Sequence, residues 1–188
     1  KGISFAPDDD IILLNSDTSV GPRWLQNMRI AAYQDLDVGT VTAISDNSGA
    51  FSVPNMGKAN DFPVWLQPEE TARIIHQESS LLYPETPTGS GFCIYIRRQL
   101  MDDIGLFDEA AFPRGYGEEN DFCMRSLRAG WRHIVDDRTL VYHVRSASFQ
   151  GEKTALYKPG REVVDRRYPE YKALVTHFVH SPQMDMMR

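Results

Sequence analysis

Residues 10–18 read Asp-Ile-Ile-Leu-Leu-Asn-Ser-Asp-Thr, the stretch that most narrows the choice of fold. Four apolar residues in succession, Ile11 to Leu14, predict a strand buried on both faces. The run stops at Asn15, Ser16 and Asp17. Open α/β sheets present their ligands at the C-terminal ends of buried strands. A carboxylate delivered there makes Asp17 the first candidate binding residue. Its alternative role is to cap the helix that begins near Pro22. Asp8, Asp9 and Asp10 read as a solvated approach to the strand.

The flanking sequence supplies further α/β units. Leu25, Met28 and Ala32 share one face of a helix running from Pro22 to about Tyr33, after a turn at residues 18–21. Residues 38–44 are β-rich, and residues 45–62 form a long loop rich in Asn, Gly, Ser and Pro. Pro68, Glu69 and Glu70 open a helix to about Ser80. Residues 92–96 predict another buried strand, residues 97–103 a short helix closed at Gly105, and residues 118–129 a helix ended by Gly130. Two short strands follow, at residues 133–135 and 139–142, the second ending in His143. Residues 146–160 look irregular. Tyr171, Leu174, Val175 and Phe178 then repeat at helical spacing. A buried parallel strand needs neighbours, and residues 1–9 offer none for residues 11–14. The reading therefore expects βα units upstream that this sequence does not contain.

Composition removes several function classes. Of 188 residues, 41% are hydrophobic, enough for one domain with a real core, and the formal net charge is −6. That balance argues against general nucleic-acid binding, which needs clustered Lys and Arg. No apolar run approaches the roughly 20 residues of a membrane span. The two cysteines, Cys93 and Cys123, sit in apolar segments, which fits reduced core thiols and a reducing compartment.

Four groups of residues carry potential chemistry. Asp17 is a hard oxygen ligand suited to Mn²⁺ or Mg²⁺. Glu118, Glu119 and Asp121 crowd a helix start after Gly115-Tyr116-Gly117. Glu118 and Asp121 share one face there, and Glu119 points about 100° away. Acids in a first turn also simply favour the helix dipole. His143, at a strand end, can complete a metal site with a carboxylate, or be a packed core histidine. Gly89-Ser90-Gly91 can bring backbone close to a ligand, but it lacks the Gly-Lys-Ser/Thr of a P-loop and reads first as a turn into a strand. His177 and His180 read as helix surface.

The order of these pieces resembles the family 2 glycosyltransferases with a GT-A fold. A strand ending in Asn15-Ser16-Asp17 is followed by Gly89-Ser90-Gly91-Phe92 and a strand. Then come Gly105-Leu106-Phe107-Asp108-Glu109, Gly117-Glu118-Glu119-Asn120-Asp121 and Tyr142-His143. The likeness is greatest to bacterial enzymes that build O-antigen, rhamnan and other surface polysaccharides. It implies an α/β fold, a GT-A-like mixed sheet flanked by helices and short at its N-terminus. Residues 1–160 would be the C-terminal part of that domain, and residues 161–188 a helical extension packed on it.

By the same resemblance, Asn15-Ser16-Asp17 stands in the place of the D-x-D motif, with Asn15 replacing its first acid. Asp17 and His143 would hold the metal, and Asn15, Asp17 and Gly91 the donor. Glu119 would be the catalytic base beside Glu118, while Trp65, Tyr116 and Asp121 would face the acceptor. The implied reaction is inverting transfer from a nucleotide-sugar to a glycan or lipid-linked glycan. That points to the cytoplasm, with peripheral association at the inner face of the membrane. Two other classes stand beside it: a non-catalytic carbohydrate- or protein-binding module derived from such an enzyme, and a metal-dependent phosphohydrolase or nucleotidyltransferase that would use the same acids.

Overall fold

The computed structural model describes residues 2–63, 65–113, 115–143 and 150–188. At its centre lies the β-rich run β3 (Val38–Ser45), every residue of which is buried. Such a strand needs a partner on each side. β4 (Cys93–Ile96) pairs with it antiparallel, Thr42 opposite Ile94, and β5 (Arg132–His143) pairs parallel, Val41 opposite Ile134. β1 (Ile11–Leu14) joins β4 and β2 (Thr18–Val20) joins β5, both antiparallel, giving the order β1-β4-β3-β5-β2.

Alternation along β4 assigns the two faces of the sheet. Cys93 and Tyr95 pack with Met28, Ala31 and Ala32 of α1 (Trp24–Ala32) and Ala72 of α2 (Pro68–Glu78). Ile94 and Ile96 point the other way, to Leu100 and Met101 of α3 (Arg98–Ile104) and Phe122 and Cys123 of α4 (Glu118–Arg128). α5 (Gln150–Arg167), α6 (Tyr171–Val179) and α7 (Pro182–Met187) follow. Val164, Tyr168 and Tyr171 form a third cluster with Phe112 and Met124, while Phe178 and Met184 enter the first. No helix among the described residues is long and apolar enough to cross a membrane.

Several expectations change. β1 is an antiparallel edge strand, only partly buried and with Leu14 exposed, not a parallel strand covered on both faces. The turn after Asp17 contains β2, and α1 starts at Trp24 because Arg23 takes a left-handed backbone (φ 63°) outside the helix. The two short strands before His143 are one strand, β5. Its partner β3 sets Ala43 opposite Asp136 and Ile44 opposite Leu140, so Asp137, Arg138 and Thr139 bulge out between them. Part of the irregular stretch is α5, which runs across the expected boundary at residue 160; residues 146–149 lie outside the described residues.

Asp10 is not a solvated acid. Its carboxylate accepts hydrogen bonds from Tyr33 Oη (2.7 Å), Tyr95 Oη and the Arg98 amide (2.7 Å). Burial alone would raise this carboxyl. The bonds from Tyr95, Arg98 and Tyr33, with the Arg97 charge, outweigh it and hold the group below the usual carboxylate range. Asp10 thus ties the start of β1 to α1 and β4.

Candidate functional site

In three residues, Asn15 to Asp17, the chain passes from one end of the strand order to the other. The Asn15 amide bonds the Phe92 carbonyl (2.9 Å) beside β4, and Thr18 pairs with His143 at the end of β5. That crossing brings Asn15 and Asp17 to His143. Asp17 Oδ1 lies 3.3 Å from His143 Nε2, and Asn15 Nδ2 also lies 3.3 Å from it.

The ring of His143 has a defined tautomer. Its Nδ1 is 3.1 Å from the Asn47 carbonyl oxygen, which can only accept, so Nδ1 carries the hydrogen. In the neutral ring Nε2 then bears a lone pair, directed at Asn15 and Asp17. The Asn15 amide can donate to it. A carboxylate oxygen at 3.3 Å cannot, and two lone pairs repel unless a cation or a second ring proton lies between them. One oxygen and one imidazole nitrogen around such a point match the donor set of a divalent ion. A ligand histidine whose other ring nitrogen donates to a carbonyl is also the usual arrangement. Among the described residues no group of three His, Cys, Asp or Glu side chains converges on one point, so further ligands would have to come from elsewhere.

Phe92 lies parallel to the His143 ring, centroids 5.6 Å apart and 16° between planes. Its neighbour Gly91 faces the acidic helix start: a Cβ built there would stand 3.4 Å from Glu119 Oε1. Glu118 sits over Gly115 in the same way. Both glutamates line a cavity of about 600 Å³ with Gly91, Gly115, Phe107 and Phe112. Burial, then the neighbouring Glu119 charge, pushes the Glu118 carboxyl up to about 7. Among the described residues no salt bridge reaches either glutamate, and Glu118 Oε2 is buried without a hydrogen-bond partner. Glu118 thus holds its proton well above the pH at which a solvated glutamate loses it.

No family model matches the sequence, and no curated protein matches it. Among solved structures, a crystal structure of GalNAc-T7 with UDP, GalNAc and Mn²⁺ is similar to 96% of this chain, with a TM-score of 0.53 at 17% identity. The fold is GT-A-like. The chain spans 37% of that neighbour's length.

Two groups of predicted residues are therefore each assembled: Asn15, Asp17 and His143 in one, Gly91, Glu118 and Glu119 in the other. The consecutive residues Gly91 and Phe92 join them. Asp121 departs from its expected acceptor-side place. It is fully buried, its carboxylate taken up by Arg125 Nε (3.0 Å), Arg167 Nη1 (2.7 Å) and Tyr168 Oη (2.9 Å). Trp65 is 77% exposed and is not among the residues lining the cavity. Tyr116 is not among them either; it precedes the acidic helix with a left-handed backbone (φ 61°). Sequence reasoning missed Asp46, Asn47 and the stacking of Phe92. Asp46 and Asn47 sat in a stretch read as loop, and no spacing links them to His143.

Proposed function

We propose that this chain carries the diphosphate and acceptor side of a glycosyltransferase. It would transfer a sugar from a nucleoside diphosphate to an acceptor hydroxyl with inversion. The observation that carries the reading is the junction at Gly91 and Phe92, with the Asp17–His143 pair on one side and the Glu118–Glu119 pair on the other. The GT-A-like fold supports it.

Asp17 Oδ1 and His143 Nε2 would hold a divalent ion, Mn²⁺ or Mg²⁺, with Asn15 beside them. The diphosphate oxygens would add to the ligands that the described residues offer. Bound there, the ion offsets the negative charge that the leaving diphosphate gains. Glu119 accepts the proton of the acceptor hydroxyl as its oxygen bonds to the anomeric carbon, and the carbon–oxygen bond to the diphosphate breaks with its electron pair. Glu118, holding its proton near neutral pH, keeps a second full charge away from the base. The resemblance to family 2 enzymes supports a glycan or lipid-linked glycan acceptor and a role in surface polysaccharide synthesis at the cytoplasmic face of the membrane. A non-catalytic binding module is the second reading, favoured by Asn15 standing where a carboxylate is expected.

The test is a thermal-shift titration with nucleoside diphosphates and their sugars, with and without Mn²⁺, on wild type and Asp17→Ala. A ligand held at 100 times its Kd stabilises the folded state by about 2.7 kcal/mol. A Mn²⁺-dependent rise with one nucleotide, abolished in Asp17→Ala, is the expected result. A folded protein that answers none of the nucleotides would overturn the donor site. Nucleotide binding without sugar transfer would favour the binding module.

A further inference from the structure

We propose that Asp46 and Asn47 are positioning residues for His143, holding its ring as the Nδ1–H tautomer with the Nε2 lone pair aimed at Asp17. The effect on metal binding rests on the function proposed above; the state of the ring does not.

β3 and β5 run parallel and finish side by side, so the first residues after β3 meet the last residue of β5. Asp46 Oδ1 accepts the His143 main-chain N–H at 2.8 Å, and the Asn47 carbonyl accepts Nδ1–H at 3.1 Å. One residue is thus held by backbone and by ring from two consecutive positions. The parallel Phe92 ring fixes the plane. The other tautomer would set a nitrogen lone pair against the Asn47 oxygen, so the turn selects against it.

The turn is itself braced on both sides. Ser45 Oγ donates to Asp46 Oδ1 (3.1 Å) and accepts from the Asn47 amide (3.1 Å). Asn60, only 8% exposed, donates to the Asp46 carbonyl from its main-chain amide (2.9 Å) and from Nδ2 (3.1 Å). Its Oδ1 accepts from the Asn55 amide (3.0 Å) and Asn55 Nδ2 (2.9 Å). Residues 46–60, which composition reads as a loose loop, thus form a scaffold behind one ring nitrogen.

The experiment is a long-range ¹H–¹⁵N correlation on the metal-free protein at pH 8, with His143→Gln identifying the His143 signals. The same protein is then titrated with Mn²⁺ in the presence of a nucleoside diphosphate, followed by electron paramagnetic resonance. Wild type is expected to show a protonated Nδ1 and a bare Nε2. Asp46→Ala is expected to mix or reverse them and to weaken Mn²⁺ binding by about 10- to 100-fold, the usual cost of losing such a support. Asp46→Asn, which keeps an oxygen acceptor, should restore the wild-type pattern. If Asp46→Ala does not fold, Asp46→Ser, too short to reach the same amide, replaces it. A wild-type ring protonated at Nε2, or an unchanged ring in the folded alanine or serine variant, overturns the proposal. A correct tautomer pattern in a protein that binds no Mn²⁺ would refute the proposed function and leave the positioning role standing.

Discussion

Glu118 and Asp121 lie three residues apart on one face of α4, and the protein treats their carboxylates in opposite ways. Asp121 is inaccessible to solvent and receives two guanidinium groups and a phenol. Glu118 receives no cation among the described residues; its near neighbours are a second carboxylate, Glu119, and Gly115. The helix dipole alone treats the three acids of this turn alike, since each favours the positive end of the helix. Partners decide between them. An acid supplied with cations is being used to tie elements together, here α4 to α5 through Arg167. An acid left beside another acid, next to a cavity, keeps its proton chemistry available.

The largest expected effect tests the tied acid. Asp121→Ala removes the shared partner of Arg125 and Arg167, and breaking a buried ion pair typically costs about 3–5 kcal/mol. Urea unfolding of Asp121→Ala beside Glu119→Gln should place the first far below wild type and the second close to it. Equal stability of the two variants would end the comparison.

The next effect tests the untied acid. Folded Glu118 keeps its proton up to about 7, against 4.5 for a solvated glutamate. Between these values the folded state binds more protons than the unfolded one, so stability falls as pH rises through that window. Its contribution is fully present below pH 4.5 and lost above 7. In Glu118→Gln the fall should flatten: melting temperatures at pH 5 and pH 8 should differ less than in wild type. An unchanged slope would mean that Glu118 ionises as an ordinary glutamate.

The smallest effect sharpens the contrast from outside the site. Arg132 bonds Asp35, Asp37 and Glu85, all at 2.8–2.9 Å and all more than half exposed. This network resembles that of Asp121 on paper, yet water screens it. Arg132→Ala should cost less than about 1 kcal/mol, and less again at high salt. A loss as large as that of Asp121→Ala would show that counting partners, without burial, suffices.

How much was legible in the sequence follows the range of the interactions involved. β3, β4, α2 and α4 announce themselves through local composition, Pro68 and the acids of their first turns. The edge position of β1 does not, because four apolar residues specify a strand but not which neighbour it takes. The polar trio Asp137, Arg138 and Thr139 imitates a turn within what is one bulged strand. α5 contains Pro159 and Gly160, which read as breakers, yet packing of Val164 against Phe112, Met124 and Tyr168 overrides them. Asn15, Asp17, Gly91, Glu118, Glu119 and His143 were nameable one by one, but Asp46 and Asn47 were not. The roles of Asp121, taken by Arg125 and Arg167, and of Asn47, bonded to His143, depend on contacts made only in three dimensions.

Gly160 carries a last consequence. A methyl group there would fall 1.8 Å from the Tyr116 carbonyl oxygen, and one at Gly117 would fall 3.2 Å from the Gly160 carbonyl oxygen. Two stretches more than forty positions apart therefore share one volume with no slack, like the halves of a mould. The shape of the turn that launches Glu118 and Glu119 is cast by α5. α5 therefore belongs to the setting of the candidate site, and a truncation that removes it is expected to deform the acidic turn without altering Glu118 or Glu119 themselves.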